Sequence, residues 1–130
     1  MINKEWAYGT KKGLDRKLKL VGFTFLEDDQ PTPKMTVYLR EQLISPAGYV
    51  VEDVVADYSV VKGKISYDID GQPLPKNEIQ QDGTLQPVLD DDGNPVPRDN
   101  AYENIKALVD AGVNPYTLID AGVREKFKID

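Results

Sequence analysis

A nine-residue pattern occurs twice in this chain, 22 residues apart, and it constrains the fold more than any other sequence feature. Residues 68–76 and 90–98 share the pattern Asp-x-Asp-Gly-x-Pro-x-Pro followed by a basic residue. A third Asp-Gly pair, Asp82-Gly83, lies between the two copies. Asp-Gly between strand-like residues is a strong hairpin signal, because a type I′ turn needs positive φ at both central residues. The three pairs therefore predict a β-meander or paired hairpins over residues 66–98.

The prolines of the repeat predict that each copy pairs on one side only. In a strand, the N–H groups of residues i and i+2 point to the same side. Two prolines with this spacing strip the donors from that side, while the other side can still pair. The pattern is typical of a protected sheet edge or of polyproline II. We expect four residues of this kind to lie on a partner-binding surface: Pro73, Pro75, Pro95 and Pro97.

Length and residue types limit both the size of the fold and its chemistry. Size scaling predicts that a chain of 130 residues buries roughly two-thirds of its surface, which supports one domain with one core. The chain contains no Cys and no His. These absences exclude disulfides, Ser-His-Asp and Cys-His nucleophiles, and the common zinc, haem and iron–sulfur ligation. We expect a non-enzymatic protein with no metal and no cofactor.

Carboxylate chemistry is the remaining catalytic alternative. Glu52, Asp53 and Asp57 lie in an apolar, Val-rich run, where burial could raise the pKa of a carboxyl group as a glycoside hydrolase requires. Glu52 and Asp53 are adjacent, so in a strand they point to opposite faces and cannot flank one bond. A solvated outer face is the favoured interpretation.

The aspartates of the repeat also invite comparison with a calcium loop. Aligning Gly71 and Gly93 with the glycine of an EF-hand loop puts Ser66 and Val88 at the first ligand position. Neither copy then has the bidentate Glu at the last position. Hairpin turns explain these aspartates better, although the sequence leaves calcium binding open.

Three strand-like segments precede the repeat. Residues 17–26 contain alternating Lys and Leu, typical of a half-buried strand, and residues 35–44 form a second candidate. Residues 49–61 are ambiguous, because their apolar positions have helical spacing while six of the thirteen residues are Val. Since Val is stiff at χ1, we favour a strand there and leave a helix as the alternative.

The period becomes helical after residue 99. A first helix is expected to begin at the cap Asn100, with Glu103 at its third position, and to end at Gly112. Its predicted buried face consists of Tyr102, Ile105, Leu108 and Val109.

A second short helix is expected to follow at once. Asn114 is its predicted cap, with Pro115 at the first helical position. Leu118 and Ile119 are expected to be buried, and Gly122 to end the helix.

The elements together predict an α+β fold. It should consist mainly of an antiparallel β-sheet with Asp-Gly hairpins and two short C-terminal helices. We expect a basic N-terminal arm over residues 1–16 and a single α+β domain over residues 17–130. Within that domain, the hairpin repeat spans residues 66–98 and the helical tail residues 100–127.

Charge is distributed unevenly along the chain. Residues 1–26 carry six basic and two acidic side chains, a local charge of +4, whereas residues 27–130 carry ten and twenty, a local charge of −10. A basic arm can dock on the chain's own body, on a neighbouring protein or on nucleic acid phosphates, and the acidic body disfavours nucleic acid. The partner-binding residues expected in the arm are Lys4, Trp6, Tyr8, Lys11, Lys12 and Arg16.

These features favour a structural role. We expect a non-enzymatic interaction subunit of a large protein assembly, such as a capsid-decorating or connector protein of a virion or phage-type particle. Its partners would be other protein subunits, without a membrane, and its location cytoplasmic or within the particle. The alternative is a small ligand-binding module or glycoside hydrolase, with Glu52 or Asp57 in a pocket lined by Tyr38, Tyr49, Tyr58 or Tyr67.

Overall fold

A five-stranded antiparallel sheet forms the centre of the molecule. The structure is a computed structural model that describes residues 4–26, 31–80, 82 and 84–129. The strands are β1 (Glu5–Lys11), β2 (Leu14–Leu26), β3 (Lys34–Ile44), β4 (Val50–Val55) and β5 (Tyr58–Val61). They lie in the order β1-β2-β3-β4, and β5 pairs with the other end of β3. The strands predicted over residues 17–26 and 35–44 are confirmed as parts of β2 and β3.

The ambiguous segment 49–61 forms two consecutive strands, β4 and β5, which run end to end along β3. At the junction, the backbone N–H of Ala56 donates to the carbonyl of Leu39. The Asp57 carboxylate accepts the Leu39 N–H at 2.8 Å, in place of a backbone carbonyl. The strand prediction is therefore confirmed, and Asp57 maintains the hydrogen-bond pattern where the two strands separate.

Residues 5–16 belong to the sheet and do not form the separate arm expected from their charge. β1 pairs with β2 from Glu5 opposite Lys19 to Lys11 opposite Leu14. Trp6 lies opposite Leu18 on the buried face, and only 3% of its surface is exposed. Burial of this large aromatic side chain stabilises the strand. The net charge of the segment gives no indication of this burial.

Two helices cover one face of the sheet. Helix α1 spans Ala101–Asp110 and helix α2 spans Tyr116–Phe127. Residues of both helices pack with sheet residues in one core, whose buried members are Trp6, Leu18, Leu20, Met35, Val37, Leu39, Val60, Tyr102, Ile105, Ile119 and Val123. The predicted class is thus confirmed: a mainly antiparallel sheet with two short C-terminal helices.

The first helix follows its prediction in position but not in its cap. Asn100 occupies the N-cap position, yet its amide donates to the carbonyl of Asn77 at 2.8 Å instead of capping the helix. Gly112 lies just beyond the helix with a φ of +73°, as expected of a terminating glycine.

The second helix continues through Gly122, so the prediction that this glycine ends it is wrong. The buried side chains Ile119 and Val123 and the partly buried Phe127 recur every four residues, which keeps one face of the helix on the core. Gly122 itself packs beside Tyr58, whose hydroxyl would lie 3.5 Å from a Cβ at that position. The N-cap position of this helix is Pro115, one residue later than predicted, and the Asn114 side chain accepts the N–H of Tyr116 at 3.0 Å.

Both copies of the repeat form hairpins, with a turn that differs from the predicted type I′. Gly71 and Gly93 have φ of +82° and +81°, whereas Asp70 and Asp92 do not have positive φ. Each loop is therefore a three-residue turn closed by a left-handed glycine. The first Asp of each copy accepts the backbone N–H groups two and four residues later, and it fixes the turn. The third Asp-Gly pair includes Gly83, which lies outside the described residues, between β6 (Asn77–Ile79) and β7 (Leu85–Pro87).

The two hairpins are joined by two rings of three backbone hydrogen bonds. In the first ring, Leu74 donates to Ser66, Ser66 to Arg98 and Arg98 to Leu74, at 2.8–2.9 Å. The second ring consists of the positions shifted by 22 residues: Val96 donates to Val88, Val88 to Lys76 and Lys76 to Val96, at 2.8–3.2 Å. Exchanging the two copies reproduces every bond. The repeat is therefore a pseudo-two-fold pair of hairpins, with Pro75 opposite Pro97 between the rings.

We expect Asp68→Ala to lower the melting temperature more than Asp90→Ala. Both variants lose the same two bonds to their turn. Within the described residues, only the turn of the first hairpin also contacts the end of helix α2, through the Ile69 N–H, which donates to the Lys126 carbonyl, and through Lys128, which pairs with Asp68 and Asp70. Thermal unfolding followed by circular dichroism measures the difference. Equal losses, or a larger loss for Asp90→Ala, would contradict the assigned asymmetry.

Candidate functional site

The basic residues of the N-terminal segment bind acidic groups of the same chain. Glu41 on β3 accepts a hydrogen bond from the Tyr8 hydroxyl at 2.7 Å and pairs with Lys11 at 3.3 Å and Arg16 at 3.4 Å. The Arg16 guanidinium also lies 4.1 Å from the centre of the Tyr8 ring. These four residues form the Glu41 cluster. The basic residues were expected to dock on the chain's own body, on a neighbouring protein or on nucleic acid. The structure contains contacts with the chain's own body.

Lys4 and Lys12, the other two basic residues expected in the arm, also lie near acidic side chains. Lys12 pairs with Glu52 at 3.2 Å, and Lys4 lies 4.0 Å from Asp120 on α2. Trp6 donates its indole N–H to the same Asp120 carboxylate at 3.0 Å. Trp6 is therefore a core residue and not the exposed contact that the sequence suggested. No local sequence signal identifies Asp120 as its partner, because 114 residues separate the two.

Opposing effects set the pKa values within the Glu41 cluster. Burial alone would raise the pKa of Glu41, but hydrogen bonds from Tyr8 and Lys11 and the charge of Arg16 outweigh it and hold this pKa below its ordinary value. Burial, followed by the hydrogen bond to Glu41, raises the pKa of Tyr8 to about 12. Glu41 is therefore ionised and Tyr8 is protonated near neutral pH.

We expect the stabilising effect of Glu41 to disappear in acid. Because its folded-state pKa is lowered, its contribution is complete above the unfolded-state value of about 4.3 and is lost as the pH falls through the folded-state value. The free energy of unfolding of wild type should exceed that of Glu41→Gln by a constant amount near neutral pH, and this gap should narrow below about pH 4.3. Urea denaturation across this range measures the gap. A gap that does not depend on pH would contradict the assignment.

The four prolines of the repeat lie on its exposed outer side. They alternate with the ring residues, and all four are solvent-exposed. In each ring, the backbone N–H and C=O groups point inward, so the proline nitrogens point outward, where they offer no donor. The one-sided pairing predicted from their spacing is present in both copies.

The carboxylates named as candidates for glycoside hydrolysis do not form one site. Glu52 lies opposite Leu43 and Asp53 opposite Gln42, so their side chains occupy opposite faces of the sheet, as their adjacency predicts. Asp53 pairs with Arg40 at 2.8 Å. Neither Glu52 nor Asp57 lines the cavity described next.

A cavity of about 200 Å³ lies between the hairpin repeat, β5 and the two helices. Its walls are mainly apolar, and two of the four tyrosines named from the sequence, Tyr58 and Tyr67, contribute to them. Tyr38 and Tyr49 lie elsewhere on the surface. Three helix residues that the sequence predicts to be buried also line it: Ile105, Leu118 and Ile119. No sequence signal indicated the further lining residues Val60, Ile65, Leu74 and Leu85.

One ion pair fixes the polar side of this cavity. Arg98, with 8% of its surface exposed, donates to both carboxylate oxygens of Glu125, at 3.1 and 2.7 Å. Its Nε donates to the carbonyl of Pro75 at 2.9 Å. Arg98 therefore links both hairpins to helix α2. In the sequence, the one signal for Arg98 is that a basic residue ends each copy of the repeat.

Strand β4 leaves an apolar edge of the sheet uncovered. Within the described residues, no strand pairs with β4 on the side away from β3. The exposed apolar side chains, each at least 49% accessible, are Tyr49, Val50, Val51, Val54 and Val55. The charges of this strand are already paired, Glu52 with Lys12 and Asp53 with Arg40.

No protein-family model, curated protein or solved structure matches this chain. Neither helix in the described part of the chain is long and apolar enough to cross a lipid bilayer. Among the same residues, no group of three or more acidic side chains is arranged to hold a metal ion.

We expect Arg98→Met to lower the free energy of unfolding by about 2–3 kcal/mol. This is slightly below the usual cost of breaking a buried pair, because 35% of the Glu125 side chain remains accessible to water. Lys17→Met is the matched control. It breaks the exposed pair with Glu5 and should cost less than about 1 kcal/mol. Urea denaturation compares the two, and equal costs would contradict the role of Arg98 as a link.

Proposed function

We propose that this protein is a non-enzymatic interaction subunit of a large protein assembly, in which copies of the chain associate through the edge of β4. A virion or phage-type particle is the proposed setting, with the chain as a decorating or connector protein. The observation that carries the proposal is the exposed, Val-rich β4 edge. An apolar edge strand is a template for pairing with another chain.

The contrast with the other exposed edges supports this proposal. The outer edge of the hairpin repeat is protected by four prolines, and β1 has an irregular register between Ala7 and Thr10 and ends at Lys11. Prolines, irregularities and lysines are common means of preventing strand addition. β4 has an unprotected apolar surface instead, and its two acidic side chains are held by basic neighbours. Association through β4 would cover the exposed valines.

We expect wild type to self-associate with rising concentration and Val50→Lys/Val55→Lys to remain monomeric. Both valines are exposed, so the substitutions should leave the fold intact while adding charges to the edge. Sedimentation velocity over a concentration series measures the association. Val21→Lys is the matched control, because Val21 is equally exposed but lies in the interior strand β2. A wild type that stays monomeric throughout, or a control that loses association equally, would contradict the proposal.

A second candidate function is a small ligand-binding module, and the cavity beside Tyr58 favours it. Cavities with apolar walls and a few polar groups are the usual form of small-molecule sites. This candidate does not depend on the β4 edge, since the cavity lies between the hairpin repeat, β5 and the helices.

A further inference from the structure

We propose that the cavity between the hairpin repeat, β5 and the helices binds a neutral, ring-sized organic molecule that carries one hydrogen-bond acceptor. The inference rests on the second candidate function and gives it a ligand class. It is independent of association through β4, so either proposal can fail without the other.

The volume of the cavity sets the size of the ligand. An apolar cavity of about 150 Å³ is large enough to hold benzene. The present cavity, at about 200 Å³, has room for an aromatic or aliphatic ring with a small substituent. Buried side chains from three elements, Val60, Ile105 and Ile119, contribute to its walls, so a ring placed there would bury apolar surface against them.

The charges around the cavity favour a neutral ligand. Arg98 and Glu125 both line it, and they satisfy each other through two hydrogen bonds. The third guanidinium nitrogen, Nε, donates to the Pro75 carbonyl. Two lysines, Lys64 and Lys126, also line the cavity, and Lys126 donates to the Tyr67 carbonyl at 2.9 Å. A charged ligand that entered the apolar space would lose its contact with water, which is costly.

Tyr58 supplies a donor for the ligand. Its side chain is half-buried, and its hydroxyl lies beside Gly122 and makes no hydrogen bond within the described part of the chain. Burial, with a smaller effect of the Glu125 charge, raises the pKa of this hydroxyl, so it stays protonated and can donate. A ligand acceptor beside this hydroxyl would accept its hydrogen bond and fix the orientation of the ring.

The position of Tyr58 is fixed before any ligand binds. Its backbone pairs with Val37, and its ring contacts Phe127 edge-on at 6.2 Å between centroids. Gly122 has no side chain to fill the space beside the hydroxyl. The glycine that was expected to end α2 thus leaves room within the cavity wall.

Acetophenone is a suitable probe, because it is a neutral ring with one carbonyl acceptor. Isopropylbenzene has a similar shape without the acceptor, and benzoate carries a charge. Titrations followed by two-dimensional NMR of backbone amides should give shifts at residues 58–61, 118–122 and 65–67 with acetophenone and isopropylbenzene, and none with benzoate. The variant Val50→Lys/Val55→Lys should bind the probes as wild type does.

The decisive comparison uses variants at Tyr58. Tyr58→Phe should weaken acetophenone binding roughly three- to tenfold, the usual effect of one hydrogen bond, and leave isopropylbenzene binding unchanged. Gly122→Val should weaken binding of both probes by filling the cavity, and Tyr49→Phe, at an exposed tyrosine, should change neither. Absence of binding to wild type, tighter binding of benzoate, or equal acetophenone binding by Tyr58→Phe would overturn the proposal.

Discussion

The prolines at positions 73, 75, 95 and 97 impose the constraint on which the hairpin repeat depends. Each pair removes the donors from one side of its segment, so the backbone can form hydrogen bonds only on the other side. The two copies satisfy this restriction by meeting each other in two rings of three bonds, related by the 22-residue shift. The repeat is thus one symmetric unit. At the proline positions, its outer side has no backbone N–H to pair with another strand.

Arg98 provides one of the links between this unit and the rest of the chain. Arg98 ends the second copy, contributes backbone groups to a ring, and directs its side chain to Pro75 and Glu125. Glu125 lies on α2, whose Gly122 faces Tyr58 on β5. The cavity lies between the hairpin repeat, α2 and β5, so its shape depends on how the two hairpins pair. The β4 edge lies outside this arrangement, and it is the apolar edge without comparable protection within the described residues.

Local patterns predict most of the elements, and long-range contacts account for what they miss. Val-rich spacing indicates β4 and β5, and the proline spacing indicates one-sided pairing. Ala-Gly-Val occurs at residues 111–113 and 121–123, yet one glycine ends a helix and the other continues it. The difference arises from Tyr58 and from the core-facing residues beyond Gly122, which lie too far away in sequence for a local rule. The bond from Trp6 to Asp120 and the pair of Arg98 with Glu125 depend on the assembled sheet in the same way.

Amide hydrogen exchange by NMR tests the pairing of the two hairpins most directly. The account predicts slow exchange for the six ring amides, with similar protection for matched positions such as Leu74 and Val96. Tyr67 and Leu89, which directly follow the ring residues Ser66 and Val88 and donate no backbone bond in the described structure, should exchange quickly. Ring amides that exchange as fast as Tyr67 and Leu89, or protection confined to one copy, would contradict it.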